Sequence, residues 1–247
     1  MRKVLFIMSL ALVVTLSLTL TSGAVFAQSS GNFTYNNQGA TLNCVLSKSG
    51  AITGGQICQQ TCDSTGCTAQ TGDCIGSFAA GIKTNSGNGN VFVIRPSMVI
   101  GLLTDVTITK TTQTSSALAG VDVNVDVEPT AGQVDPVVSP PNGQYITYDS
   151  RYIQISSNLF NALTTSCVST STAPGAGCFF TLNESTVSAH SFDWIAGNLS
   201  SGTYKVKSNW KASTAVEGLG RALTCVGPVN LTVEQNKVFN FNTPNSL

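Results

Sequence analysis

Beyond residue 90 the apolar and polar side chains of this chain alternate with a period of two. The plainest run sets Val121, Val123, Val125 and Val127 against Asp122, Asn124, Asp126 and Glu128, which predicts a strand with one buried and one wetted face. Residues 105–111 repeat the pattern through Val106 and Ile108, and in 145–155 Ile153 and Ile155 alternate with Tyr152 and Gln154. Residues 178–182, 190–195, 202–210, 223–226 and 231–233 read as further strands. Residues 91–94 and 98–103 are denser apolar runs. The Arg95-Pro96 step between them predicts that one strand stops and another begins, because proline cannot donate to a ladder.

Turn residues punctuate these runs: Gly87-Asn88-Gly89, Pro140-Pro141-Asn142-Gly143, Ser200-Ser201-Gly202 and Gly227-Pro228. The proline-bearing stretch 128–143 reads as a long surface crossover within one domain. Helix signals are thin: 157–163 behind a Ser157 or Asn158 cap is a short candidate, and 215–223 is spoiled by Gly218 and Gly220. Many short strands with Gly/Pro/Asn punctuation predict an all-β antiparallel sandwich with little helix. In 190–210 the pattern of Phe192, Trp194, Leu199, Gly202, Tyr204 and Val206 resembles the two-sheet Ig-like or jelly-roll domains of secreted bacterial proteins. That resemblance implies an architecture and carries no activity with it.

The first residues add a compartment. Arg2 and Lys3 precede an apolar stretch over 4–20, then small residues, then Val25-Phe26-Ala27. A small or β-branched residue at −3 with Ala at −1 is what signal peptidase accepts. We therefore read 1–27 as a signal peptide and 28–247 as a single domain, secreted to the extracellular space or the periplasm. The apolar stretch is shorter than the roughly 20 residues of a spanning helix, so no stable membrane insertion is expected after cleavage. The final residues, 239–247, are polar and show no anchoring pattern. Twelve basic and twelve acidic residues, less two basic ones in the leader, leave 10 − 12 = −2. That charge disfavours nucleic acid and anionic lipid as partners.

All eight cysteines, Cys44, Cys58, Cys62, Cys67, Cys74, Cys167, Cys178 and Cys225, follow the leader, and in an oxidising compartment they read as disulfides. Cys167 and Cys178 bracket a Ser/Thr/Pro/Gly loop that a bridge would close. Cys58, Cys62, Cys67 and Cys74 are near enough to pair among themselves, leaving Cys44 with Cys225, although spacing alone does not fix connectivity. The segment 44–74 reads as a Cys-rich insertion in the same domain. Its spacing lacks the paired C-x2-C knuckles of a zinc ribbon, so no metal is expected there.

Candidate chemistry is sparse. His190 is the only histidine. On a strand it shares a face with Phe192 and Trp194, while Ser191 and Asp193 point away, which makes a local Ser-His-Asp unit poor. Asp122, Asn124, Asp126 and Glu128 offer oxygen ligands that suit calcium, but same-face residues nearly 7 Å apart do not converge on one ion. Four N-x-S/T sequons, at Asn32, Asn183, Asn198 and Asn230, read as incidental in a polar chain with a bacterial-looking leader. Tyr35, Tyr145, Tyr148, Tyr152, Tyr204, Trp194 and Trp210 are core residues or stacking platforms, and one or two of Tyr145, Tyr148 and Tyr152, which flank a Gly-rich turn, are expected to reach solvent. The expectation is a secreted structural or interaction protein presenting loops to an extracellular protein or glycan, with no catalysis and no cofactor. The 58–74 knot is its first candidate surface. A carbohydrate- or calcium-dependent lectin-like module and a two-carboxylate hydrolase are the alternatives, and oligomeric state is left open.

Overall fold

The computed structural model describes residues 31–38, 43–85, 89–109, 112, 114–156, 158–159, 162 and 179–237. The leader at 1–27, the proposed Cys167–Cys178 bridge and the tail from 238 lie outside these residues. Almost all of what is described is antiparallel strand. Asn158, Leu159 and Ala162 are its only helical residues, and they fall in the segment read as a short helix.

In chain order the strands are β1 (Phe33–Gln38), β2 (Val45–Leu46), β3 (Ile52–Thr53), β4 (Gln56–Asp63), β5 (Gly66–Cys67), β6 (Thr71–Gly72) and β7 (Ile75–Thr84). They continue with β8 (Asn90–Thr109), β9 (Ser115–Pro129), β10 (Val137–Ser139) and β11 (Ile146–Ile155). Then come β12 (Phe179–Ser191), β13 (Trp194–Gly197), β14 (Gly202–Glu217) and β15 (Leu219–Lys237). A nine-stranded sheet, curled as a half-barrel, is organised around the long pair β8 and β15. Each of these long strands takes two shorter partners end to end on its outer side: β13 then β12 on β8, and β1 then β4 on β15. A four-stranded sheet, ordered β11-β9-β14-β7, packs its apolar side onto it. The run 128–143 crosses between the sheets, because β10 pairs with β13 of the larger one.

Two sequence expectations change here. β8 runs unbroken through Arg95-Pro96. Pro96 is opposite Leu231 on one side; on the other it sits in the gap where β13, pairing to Ile94, ends and β12, pairing from Ser97, begins. A strand residue's N–H and C=O point to the same edge. The Pro96 carbonyl is taken in that gap by the Tyr148 hydroxyl at 2.9 Å, so the missing N–H would have had no ladder partner. Gly227-Pro228 is likewise no turn. It is a bulge that shifts register between Val226 and Val229 and lets two expected strands fuse into β15.

The main core lies between the sheets. It takes Val121, Val123, Val125 and Val127 from β9, each buried to 1% exposure or less, and with them Trp194, Tyr204, Trp210 and Phe92. A second, smaller core lies on the other side of the nine-stranded sheet. There the β2–β3 hairpin puts Ile52 over Leu103, Leu223 and Cys225, and the Cys44–Cys225 disulfide ties it down. Cys58–Cys74 and Cys62–Cys67 hold the β4–β6 region.

The lateral openings between the sheets are closed by side chains. On one side Asn32 and Asn36 of the β1 side donate to the Lys83 and Ala79 carbonyls of β7, which would otherwise face an unpaired edge. On the other, β11 meets β12. Arg151 donates to Thr186 Oγ1 at 2.7 Å and lies 3.8 Å from Glu184, and further along Ile153 and Ile155 pack with Phe180 and Leu182.

Candidate functional site

His190 lies in this second seam. β12 ends at Ser191 and β13 starts at Trp194, so the alternation expected through Phe192 and Trp194 is interrupted. His190 instead shares a face with Ser188, two residues earlier. Its Nε2 is 2.6 Å from Ser188 Oγ and 3.2 Å from Asp149 Oδ2. Serine, histidine and aspartate are therefore together, but both oxygens meet the same ring nitrogen. A nucleophile relay needs the serine on one nitrogen and the acid on the other. The cluster joins two edge strands and does not assemble that order. Ser188 and Asp149 were both missed from sequence. The period-two rule reaches Ser188 only if the strand at 190 is extended back as β12 does, and Asp149 comes from the other sheet.

The strand face read as a calcium candidate is matched by its neighbour. Register places Asp122 opposite Lys211, Asn124 opposite Asn209, Asp126 opposite Lys207 and Glu128 opposite Lys205. Lys211 Nζ is 3.7 Å from Asp122, and Asn209 Nδ2 bridges Asn124 and Asp126 at 2.8 and 2.9 Å. Lys211 also sits 4.4 Å from the Tyr145 ring centroid. Cross-strand lysines and amides thus supply the opposite charge that a cation would supply. No group of three or more His, Cys, Asp or Glu suited to a metal occurs among the described residues.

In the Cys-rich segment the side chains that matter point inward. Gln60 accepts from the Val216 N–H at 3.2 Å, and Gln70 donates to Thr214 at 2.8 Å. Its outward residues in 56–74 are polar, and its exposed large apolar side chains are Val45 and Leu46 of β2. Asp63 accepts from the Thr65 hydroxyl and N–H, and those bonds hold its carboxyl below the usual range.

The outer face of the nine-stranded sheet is different. β1 turns Phe33 and Tyr35 to solvent, 59% and 64% exposed, with ring centroids 6.2 Å apart. Register sets Phe33 opposite Glu234 and Tyr35 opposite Thr232, with Arg95 beyond. Arg95 grips Asp193 with two bonds of 2.6 and 2.7 Å, which hold the Asp193 carboxyl below its ordinary value. Where β15 bulges at Pro228, a groove of about 570 Å³ opens, lined by Asn37, Ser97, Val99, Ser191, Pro228 and Asn230 among others. Among the described residues no Asp, Glu, Lys or Arg lines it, and His190 is the only titratable one. Asn230 Oδ1 is buried without a side-chain or backbone partner. Tyr35 was singled out from sequence. Phe33 was not, and neither were Asn37, Ser97 and Ser191 as a lining, because they meet His190 and Asn230 only through the pairing of β1, β15, β8 and β12.

Tyr148 is not one of the exposed platforms. It packs on Trp194 with centroids 6.2 Å apart, and burial pushes its phenol well above the ordinary value. Tyr145 and Tyr152 are 40% and 60% exposed. Among the described residues no helix is long and apolar enough to cross a membrane.

No family model matches the chain, and no curated protein matches it. Among solved structures it is similar to dimeric latent PorU from Porphyromonas gingivalis, at 11% identity and a TM-score of 0.19, over 84% of this chain and 13% of that one. The chain thus spans about an eighth of that protein's length, and a likeness of this size carries no argument about fold or function.

Proposed function

We propose that the protein is an exported binding module, a disulfide-braced β-sandwich without catalysis that engages an extracellular protein or glycan through the outer face of its larger sheet. The observation that carries this is the exposed Phe33–Tyr35 pair on the sheet that holds the uncharged groove. Rigid aromatic rings beside amides and hydroxyls supply contact area at little conformational cost. The non-catalytic part draws on four of the twelve acids being engaged in pairs: Asp122 with Lys211, Asp149 with His190, Glu184 with Arg151 and Asp193 with Arg95. Three disulfides are consistent with an oxidising compartment, extracellular or periplasmic. The sandwich type, with its leader and single domain, belongs to the same proposal.

The test is retention of the oxidised protein on the producer's envelope material, separated into protein and glycan fractions. Wild type is expected to bind one fraction, and Phe33→Ala/Tyr35→Ala to weaken that binding about tenfold or more, on the order of 1.4 kcal/mol. Equal binding by the double variant would move the site off this face. No retention by either fraction would sink the binding reading.

The glycan arm has its own support. The groove lining sets the amides of Asn37 and Asn230 and the hydroxyls of Ser97 and Ser191 beside apolar Met98, Val99, Ala189, Pro228 and Val229. Among the described residues it holds no carboxylate, lysine or arginine, and this mix of polar and apolar contacts suits a neutral sugar. A glycan array with and without a chelator separates it from a calcium-dependent lectin. Binding unchanged by chelation is expected.

A further inference from the structure

Sheets are vulnerable where a strand leaves its N–H and C=O groups unpaired, and proteins protect such edges by keeping them short, bulging them, charging them or covering them. The edges among the described residues can be compared one by one. β7 has two of its carbonyls taken by the Asn32 and Asn36 amides. β11 carries a bulge between Thr147 and Asp149, with the charged Asp149 and Arg151 beside it. β1 is 6 residues long and β10 is 3. β5 and β6 are 2 residues each, folded back on β4 beside the Cys62–Cys67 and Cys58–Cys74 bridges. β12 has neither the shortness nor the bulge of the others. Arg151 and Asp149 of β11 meet its side chains at Thr186, Glu184 and His190, and the turn of the β2–β3 hairpin lies over Asn183 and Ser185. Among the described residues none of these contacts pairs with its outer backbone edge. It runs 13 residues, pairs with β8 in one register without a shift, and has no strand on its other side. It contains no proline or glycine, and its one acid, Glu184, is turned toward Arg151.

We propose that this edge pairs with β12 of a second copy of the chain, antiparallel about a two-fold axis, so that two nine-stranded sheets become one. Such pairing is isologous, each residue meeting its counterpart across the axis. With Ser185 on the axis, residues i and 370 − i face each other. Every residue of the strand is used, and the parity that separates the two faces of the sheet is kept. Phe179 then lies opposite Ser191, Thr181 opposite Ala189, Asn183 opposite Val187 and Glu184 opposite Thr186. No like charges are opposed, since Glu184 meets a threonine and His190 meets Phe180. The ends of the strand argue the same way. Phe179 is 69% and Phe192 43% exposed, apolar side chains that the isolated chain leaves wet at opposite ends of one edge. The two-fold brings Phe179 of each copy beside the Ser191-Phe192 end of the other. The ribbon is about 43 Å long at roughly 3.3 Å per residue, and a dimer that dissociates on dilution is the expected strength.

Sedimentation velocity over a concentration series tests this on the oxidised protein. Wild type is expected to pass from monomer to dimer. Thr181→Lys/Ala189→Lys sets lysine against lysine twice across the axis and is expected to stay monomeric, as is Thr181→Glu/Ala189→Glu. Both positions are exposed on the outer face, so both variants should keep cooperative melting. Mixing the two variants should restore a dimer, a result that an unfolded variant cannot give. Hydrogen exchange gives a variant-free measure: amides of 179–191 should gain protection at high wild-type concentration. A wild type monomeric at every concentration, a dimer that survives in the lysine variant, or a mixture that stays monomeric overturns the proposal. Phe33→Ala/Tyr35→Ala should leave the dimer intact, so failure here and failure of the binding face are separate results.

Discussion

Gly76 shows how much one absent carbon decides. A Cβ at this position would lie 2.4 Å from the indole of Trp210, itself 2% exposed in the main core. β7 can pass over that ring only as backbone. Gly76→Ala must push a buried tryptophan off its site, and overpacking of that kind costs about 1–3 kcal/mol. Denaturant unfolding should show the midpoint falling at unchanged slope, and an unaltered midpoint would mean that the ring moves freely. A second residue-scale effect concerns acid. The folded Asp193 carboxyl is held below its ordinary value, first by the Arg95 hydrogen bonds. The pair therefore contributes above about pH 4, and that contribution is lost as the pH falls through the lowered value. Both groups are substantially exposed, so the effect is small. Between pH 5 and 2 wild type should lose slightly more melting temperature than Asp193→Asn, and parallel curves would show that the pair contributes nothing.

At the scale of elements, the three described bridges close loops of very different length, with separations of 181, 16 and 5 residues. The chain-entropy relation ranks them at about 5, 3 and 2 kcal/mol. Paired Cys→Ser replacement should follow that order in denaturant midpoints. The Cys44/Cys225 variant should also expose the β2–β3 hairpin, read as faster exchange at Leu46 and Ile52. An inverted order would show that local packing, and not loop closure, governs these bridges. The elements also show how far sequence reaches. The valines of β9 announced their buried face, because alternation reports burial directly. The joins within β8 and β15 were hidden at Pro96 and Gly227-Pro228. Residues that usually end strands are tolerated there, and the reasons lie in distant partners: Tyr148 filling a gap between two strands, and a bulge accommodating Pro228.

Across the whole molecule, the same distinction governs the site. His190 was visible as the only histidine, but its neighbour Ser188 fell between the strands expected at 178–182 and 190–195, which the structure joins as β12. Asp149, Arg151 and the groove around Asn230 depend on which strands meet, and this sequence does not state its pairing order. The acidic face of β9 was legible as charge, while its lysine counterparts on β14 lie some eighty residues later. That ladder predicts a salt effect: Lys205→Glu/Lys207→Glu sets like charges opposite Glu128 and Asp126. It should lower the melting temperature by a few degrees at low ionic strength, and much of that loss should vanish in about 1 M salt. A loss of the same size at both ionic strengths would assign it to packing.

The Cys44–Cys225 bridge also sets how the molecule carries tension. A pull on the two ends of the folded unit enters through β1 and the last part of β15 and then meets a covalent link that spans 181 residues of sequence. Under oxidising conditions only the short flanks can be peeled away, some 12 residues on each side, or about 85 Å of extension. The chain between the cysteines bears no load. Reduction removes that bypass, and about 600 Å of hidden length enters the force path. An oxidised molecule would thus act as a short, nearly inextensible tether, and a reduced one as a long compliant strand.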